Sequence, residues 1–267
     1  MNDRASNDLM PFVRRNVDAR GVVTLTLDRP QAFNALSEGM LAALQAELDA
    51  VAVDEHVRAV VIAAGGKAFS AGHDLKEMRA QPSQAYYEDL FARCARVMLT
   101  LQKLPVPVIA RVQGIATAAG CQLVATCDLA VAAEEARFAT PGVKIGLFCS
   151  TPMVALSRAV GRKRAMEMLL TGDFITAQEA LAAGLINRVV PAAELDAATR
   201  ALADKIVAAS PLVVGLGKQA FYRQLDMPQH QAYDYASEVM SFNATFADAQ
   251  EGMCAFLQKR APKWSGR

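Results

Sequence analysis

This chain has little that would serve redox, metal or membrane chemistry. No two of its five cysteines, Cys94, Cys121, Cys127, Cys149 and Cys254, stand in CxxC spacing, and an odd number leaves one unpaired. That argues against a disulfide framework and fits a reducing compartment, taken here as the cytoplasm. The three histidines, His56, His73 and His230, form no HxxxH pair, so no metal site is expected. No GxGxxG follows a strand-like run, which removes dinucleotide binding. No apolar stretch approaches the ~20 residues of a membrane span. A formal net charge of +1 gives no bulk field for nucleic acid or an anionic membrane. Met1 to Asp8 lack the apolar centre of a secretory signal, and acidic residues near Arg14 and Arg15 favour a short solvated tail over a transit peptide.

What is present suits one large ordered core: 267 residues, 53% of them hydrophobic and 21% charged. Val22 to Leu27 reads as a strand running into a turn at Asp28-Arg29-Pro30. Val57 to Ala63, Val106 to Val112 and Leu129 to Ala133 read as buried strands, with Leu185 to Val190 a fourth. Ser37 is placed to cap a helix carrying Leu41, Leu44 and Leu48. Ala85 to Leu104 is helical in spacing and stops before Pro105 and Pro107. Thr176 and Glu179 form a capping box, and from Ala192 onward the pattern is helical. The order predicts an α/β core followed by a helical C-terminal segment.

Two glycine-containing turns stand out. Phe69-Ser-Ala-Gly-His-Asp-Leu75 and Gly114-Ile-Ala-Thr-Ala-Ala-Gly-Cys-Gln-Leu123 each follow an apolar run and lead into a helical segment. Small residues there admit a ligand to the backbone and leave N–H groups pointing outward. Facing each other, two such turns would hold an oxyanion between two backbone donors. The echo Ala71-Gly72-x-x-Leu75 and Ala119-Gly120-x-x-Leu123 suggests stacked ββα-like units.

These turns sit in an ordered series that includes Gly21-Val-Val-Thr-Leu-Thr-Leu-Asp-Arg-Pro30, Phe33-Asn-Ala-Leu36, Lys67-Ala-Phe-Ser-Ala-Gly-His-Asp-Leu75 and Pro107-Val-Ile-Ala110. It continues through Gly114 to Asp128, Phe138-Ala-Thr-Pro-Gly142, Leu170-Thr-Gly172, Ile175-Thr-Ala-Gln-Glu-Ala180 and Gly184-Leu185 to Glu251-Gly-Met-Cys-Ala-Phe-Leu-Gln-Lys-Arg260. The series resembles the crotonase superfamily, that is, the enoyl-CoA hydratase/isomerases. It is most similar to the enoyl-CoA hydratase domain-containing subgroup with Ala-Thr-Ala-Ala-Gly-Cys-Gln-Leu-Val-Ala and Phe-Ala-Thr-Pro-Gly-Val. The resemblance implies a ClpP-like spiral of ββα repeats over residues 1–195. It also implies a C-terminal helical segment, 196–267, that makes trimers or dimers of trimers and completes the CoA site. Coenzyme A would enter only as part of an acyl-CoA substrate, with no separate cofactor.

By that resemblance, the N–H groups of His73 and Ala119 are the oxyanion donors, each worth roughly 3 kcal/mol in comparable sites. The two glutamates used by hydratases fall at Gln122 and Gly142. An amide does not take a proton at neutral pH, and glycine offers no side chain. His73 is the one histidine near the site in sequence and titrates near neutrality. Decarboxylases of the family carry histidine in the same Ala-Gly-His-Asp context, with a tyrosine that would fall at Cys149. CoA contacts fall by resemblance on Arg29, Lys67, Ala71 and Lys76, and on Phe256 and Lys259 reaching a neighbouring subunit. Phe148 and Cys149 fall in the acyl-pocket wall. Three functions stay open: a hydratase/isomerase-type lyase, a decarboxylase or hydrolase on the same fold, and a non-catalytic acyl-CoA-binding protein. The expectation is acyl-CoA binding with slow or absent hydration of crotonyl-CoA.

Overall fold

A computed structural model describes residues 11–266; the first ten residues of the expected N-terminal tail lie outside them, and Arg14 and Arg15, read as part of that tail, instead lie in a strand paired with Val22–Leu27. Six strands make the larger sheet: β1 (Val13–Val17), β2 (Val22–Leu27), β3 (Ala59–Ala64), β5 (Val108–Val112), β7 (Leu129–Ala133) and β10 (Arg188–Val190), in that spatial order. Only β1 runs antiparallel to its neighbour. The apolar runs therefore belong to a parallel sheet covered on both faces. Alternation divides them: Val60 and Ile62 join one core, and Ala59, Val61 and Ala63 the other. The first core is closed by α1 (Glu38–Ala52), α3 (Gln84–Lys103) and α4 (Ala119–Thr126), the second by Leu195 and Ala203 of α8 (Leu195–Val207).

A second sheet orders β4 (Ala68–Ser70), β6 (Ile115–Thr117), β8 (Arg137–Ala139) and β9 (Ile175–Thr176). Strands of two or three residues carry no readable periodicity, so the sequence pattern did not announce them. They complete the ββα unit: β3 leads to β4, β5 to β6 and β7 to β8, each short strand feeding a turn and a helix. β4, β6 and β8 are parallel neighbours, so the turns that follow them lie side by side. The spiral α/β fold expected from the resemblance is the fold observed.

Predicted boundaries move for identifiable reasons. β5 begins at Val108 because Pro107 has no N–H to donate, while its carbonyl accepts from Val60 N–H at 2.8 Å. β10 begins late because Leu185 N–H closes α7 (Ala177–Ala183) on the Ala180 carbonyl. The Ser37 cap and the Thr176–Glu179 capping box form as read.

After α8 come α9 (Pro211–Gln224), α10 (Gln229–Ala244) and α11 (Ala247–Leu257). Lys218 Nζ on α9 pairs with Asp128 Oδ2 at 2.7 Å and donates to the Leu101 and Val106 carbonyls. Tyr222 O–H donates to Asp128 Oδ1 at 2.8 Å. This network anchors α9 to the ends of α3, β5 and β7. Beyond it, α10 and α11 leave Tyr233, Met240, Phe242, Phe256 and Leu257 exposed.

Candidate active site

The first turn, Ala71 to Asp74, leaves β4 and is splinted along its length by the segment Phe33 to Leu36. Ala71 N–H donates to the Phe33 carbonyl at 3.0 Å, Ser70 Oγ to Asn34 O at 2.9 Å, and Leu36 N–H to the Gly72 carbonyl at 2.7 Å. Asn34 is fully buried; its amide donates to the Gly65 and Ala68 carbonyls and accepts from Arg29 N–H. Its left-handed backbone (φ 51°) suits asparagine. Leu36 and His73 form a parallel bridge, which turns the His73 N–H away from Leu36.

The second turn leaves β6 at Ala118. This residue holds φ 50° and ψ −120°, a region that alanine rarely occupies because of its Cβ. The strain aims the start of α4: Ala118 N–H donates to the Ala139 carbonyl, and Ala119 takes the first helical position with its N–H free of the helix ladder. Ala119 itself is helical, so its Cβ costs nothing; Ala118 carries the awkward angles instead. The two turns are in backbone contact. A Cβ placed on Gly72 (φ +87°) would lie 3.2 Å from Ala119 N and 2.8 Å from Ala118 Cβ, and one on Gly120 would lie 2.3 Å from the Ser70 carbonyl oxygen. Thr117 Oγ1 donates to the Ala71 carbonyl at 3.1 Å. Neither the His73 N–H nor the Ala119 N–H has an acceptor among the described residues.

The third turn leaves β8 and contains Gly142. Its Cβ position is already filled: a side chain there would begin 2.5 Å from the Leu147 carbonyl oxygen and 2.9 Å from Cys149 Sγ. Gly142 N–H donates to Cys149 Sγ at 3.3 Å, and Leu147 N–H to the Gly142 carbonyl at 3.0 Å. The loop is thus closed over the place a longer side chain at position 142 would take. Burial pushes the Cys149 thiol up, the Gly142 N–H only partly opposing, which disfavours the thiolate. Gln122 lies one turn beyond Ala119 on α4, buried, its Oε1 without a partner among the described residues.

Residues 18–267 match the enoyl-CoA hydratase/isomerase family. The chain belongs to that family. It is similar to an enoyl-CoA hydratase from Mycobacterium smegmatis of known crystal structure, at 60% identity and a TM-score of 0.94 over 96% of this chain and 99% of that one. It is also similar to the human enoyl-CoA hydratase domain-containing protein 3, mitochondrial, at 48% identity over 98% of this chain and 86% of that protein. The human protein's crystal structure superposes with a TM-score of 0.92 over 96% of this chain and all of the solved one. The Xenopus laevis protein of the same name is 51% identical over 92% of this chain and 83% of its own length. These names correct one expectation, the cytoplasm: the vertebrate relatives are named mitochondrial. Unpaired thiols point to reducing surroundings and do not say which compartment supplies them.

Within this enoyl-CoA hydratase/isomerase fold, the candidate residues fall into three groups. His73, Ala119 and Gly142 lie on the three adjacent turns, and Gln122 one helical turn into α4. Ala71 is among them too, but its N–H and carbonyl are engaged by Phe33 and Thr117. Arg29, Lys67 and Lys76 flank the first turn. The Arg29 guanidinium lies 4.6 Å over the Phe12 ring with Nε unpartnered, and Lys67 and Lys76 are exposed. Phe148 is exposed beside the buried Cys149. Phe256 and Lys259 stand apart, on and just after α11, and no hydrogen bond from residues 247–266 reaches the turns. Sequence reasoning missed Ser70, Thr117 and Ala118, and saw Asn34 only as part of a motif. The side chains among them act through backbone atoms, which leaves no periodic signal.

Proposed function

We propose that this family member binds acyl-CoA thioesters and stabilises an enolate oxyanion, with hydration of crotonyl-CoA slow or absent. The observation that carries this is the backbone contact of the two turns, with Gly72 packed against Ala119 N and the neighbouring N–H groups of His73 and Ala119 left free. Two preorganised donors at a thioester oxygen favour the charge that develops there when the α-carbon loses a proton. Hydration further needs a base for water and an acid for the α-carbon. Gln122 supplies neither, and Gly142 has no room for either. A thioester hydrolase working through Cys149 finds no support, since burial disfavours its thiolate and its Sγ already accepts from Gly142 N–H.

Coenzyme A would meet Arg29, Lys67 and Lys76 beside the first turn, with Phe148 and Cys149 along the acyl chain. The exposed apolar side chains of α10 and α11 support burial between copies, in a homotrimer or dimer of trimers. Phe256 and Lys259 would then serve a neighbour's ligand. Light scattering at several protein concentrations tests this, a persistent monomer being the contrary result.

The decisive experiment is crotonyl-CoA turnover with acyl-CoA binding measured in parallel. Binding with turnover lower by roughly 10²–10⁴-fold than that of a hydratase with both carboxylates is expected. Turnover near an ordinary kcat of about 10 per second would overturn the reading. Gln122→Glu puts a carboxyl on buried α4 three residues after Ala119, where burial raises its pKa. It should raise α-proton exchange of an acyl-CoA, whereas adding Gly142→Glu should give nothing more because its side chain meets backbone at 2.5 Å.

A further inference from the structure

We infer that the His73 side chain is a positioning residue: its Nδ1–H, held in the neutral imidazole, latches the first donor turn to Leu36 and so fixes the direction of its own backbone N–H. This inference rests on the reading of the two turns as an oxyanion site.

His73 Nδ1 lies 3.2 Å from the Leu36 carbonyl oxygen. A carbonyl only accepts, so Nδ1 carries the proton, and in the neutral ring Nε2 is bare. Nε2 is buried and has no partner among the described residues. The ring packs edge-on against Phe91 of α3, with centroids 5.4 Å apart. An imidazolium would put an unpaired N–H and a charge into that apolar slot, and burial disfavours it. The acidic groups nearest in the chain on the surrounding elements, Glu38, Asp74 and Glu77, are engaged elsewhere. Glu38 on α1 pairs with Arg93 on α3, and Asp74 caps α2 (Leu75–Ala80). Glu77 on α2 accepts from Glu38 N–H, and Tyr87 on α3 donates to the Met78 carbonyl. Burial, with Glu38 nearby, pushes the Tyr86 hydroxyl up to about 12, so it stays neutral.

The latch matters because of where it closes. Leu36 N–H already donates to the Gly72 carbonyl, one residue before the donor. The imidazole bond returns from His73 to the Leu36 carbonyl. Leu36 is thereby clamped from both sides of the Gly72–His73 peptide, the peptide whose N–H faces the substrate. Gly72, at positive φ, would otherwise let that peptide rotate. The side chain therefore acts through the backbone and need not touch the thioester.

The probe is acetoacetyl-CoA, a β-ketoacyl thioester whose enolate absorbs in the near ultraviolet. The readout is the enolate fraction of bound ligand at saturation, which a change in protein stability alone does not move. His73→Ala keeps the backbone N–H and should lower the bound enolate-to-keto ratio by roughly five- to tenfold, the worth of one hydrogen bond. His73→Asn places an amide N–H near the Nδ1 position and should restore most of the ratio. His73→Gln, whose amide reaches toward the Nε2 position, should not. Enolate in the wild type with an equal ratio in His73→Ala overturns this inference alone. A wild type that binds the thioester only in its keto form overturns the oxyanion reading, and the latch with it.

Discussion

The two halves of the site are built in opposite ways. Around His73 and Ala119, the Ala71, Gly72 and Ala118 carbonyls each have a defined donor, and strain is retained at Ala118. Around Gln122 and Gly142, one polar atom has no partner among the described residues and the other position is filled by its own loop. The contrast separates two demands of acyl-CoA chemistry. Stabilising charge on a thioester oxygen depends on peptide geometry, which survives changes of side chain. Moving protons depends on side chains, and here the loop Gly142 to Cys149 has closed on the space that one would need.

The largest effect should come from the glycine where the two turns meet. Gly120→Ala sets a Cβ 2.3 Å from the Ser70 carbonyl oxygen, between a helix and a strand that both lie in the core. Neither can retreat, and a loss of about 3 kcal/mol or more is expected in urea denaturation. Gly142→Ala also meets backbone, but the Val143 to Phe148 loop it meets is largely exposed and able to shift. About 1–2 kcal/mol is expected there. Equal losses at the two sites would mean that the loop is as rigid as the donor half, which breaks the comparison.

Asn34→Ala comes next. It removes the donor to Gly65 O and the acceptor for Arg29 N–H, while Ala68 O keeps Gln113 as a donor. Two stranded backbone groups cost about 2–3 kcal/mol together. Because Asn34 O also holds Ser70 Oγ, the same variant should reduce the bound enolate of acetoacetyl-CoA. A stability loss with an unchanged enolate fraction would confine Asn34 to a folding role.

How much of this was legible follows from what each feature depends on. The parallel strands of the larger sheet were readable because Val60, Ile62, Ile109 and Val131 belong to mostly apolar runs that burial explains, whereas β1, with Arg14, Arg15 and Asn16 between its two valines, was not. Caps at Ser37 and Thr176 were readable because a side chain performs them. The smaller sheet was not, since Phe69 and Phe138 each sit in three-residue strands too short to show a period. Gln122 and Gly142 could be singled out by resemblance alone, but the steric closure at Gly142 could not be seen, because it is made by the carbonyl of Leu147, five residues on. The strain at Ala118 was equally hidden: nothing about an alanine between Thr117 and Ala119 marks a positive φ.

That strain gives a smaller and more pointed test. Ala118→Gly should relieve the unfavourable φ and ψ and raise stability by about 1 kcal/mol after the entropy of the unfolded glycine is counted. The same change frees the peptide that leads to Ala119, so the enolate fraction should fall as the denaturation midpoint rises. A rise in both would show that Ala118 is held by the fold for reasons unrelated to aiming the donor.

The smallest effect is a dependence on pH. Burial holds the His73 pKa below its ordinary 6.5, the bond to Leu36 O only partly opposing. On acidification the unfolded chain therefore takes up this proton before the folded one, so the contribution is intact above about pH 6.5 and declines below it. His73→Asn has no such proton, and its stability relative to the wild type should improve as pH falls from 7 toward 5. Asp248 provides the control from the C-terminal segment. Burial alone would raise its carboxyl, but donors from Ser210, Ser265 and Gly266 hold it below 3.8, so its contribution persists until pH falls below that value. Losses between pH 6.5 and 5 thus report the donor turn, and losses below about 4 include the anchoring of α11. Parallel wild-type and His73→Asn curves through the upper window would show that the imidazole is not the buried neutral latch that its bond to Leu36 describes.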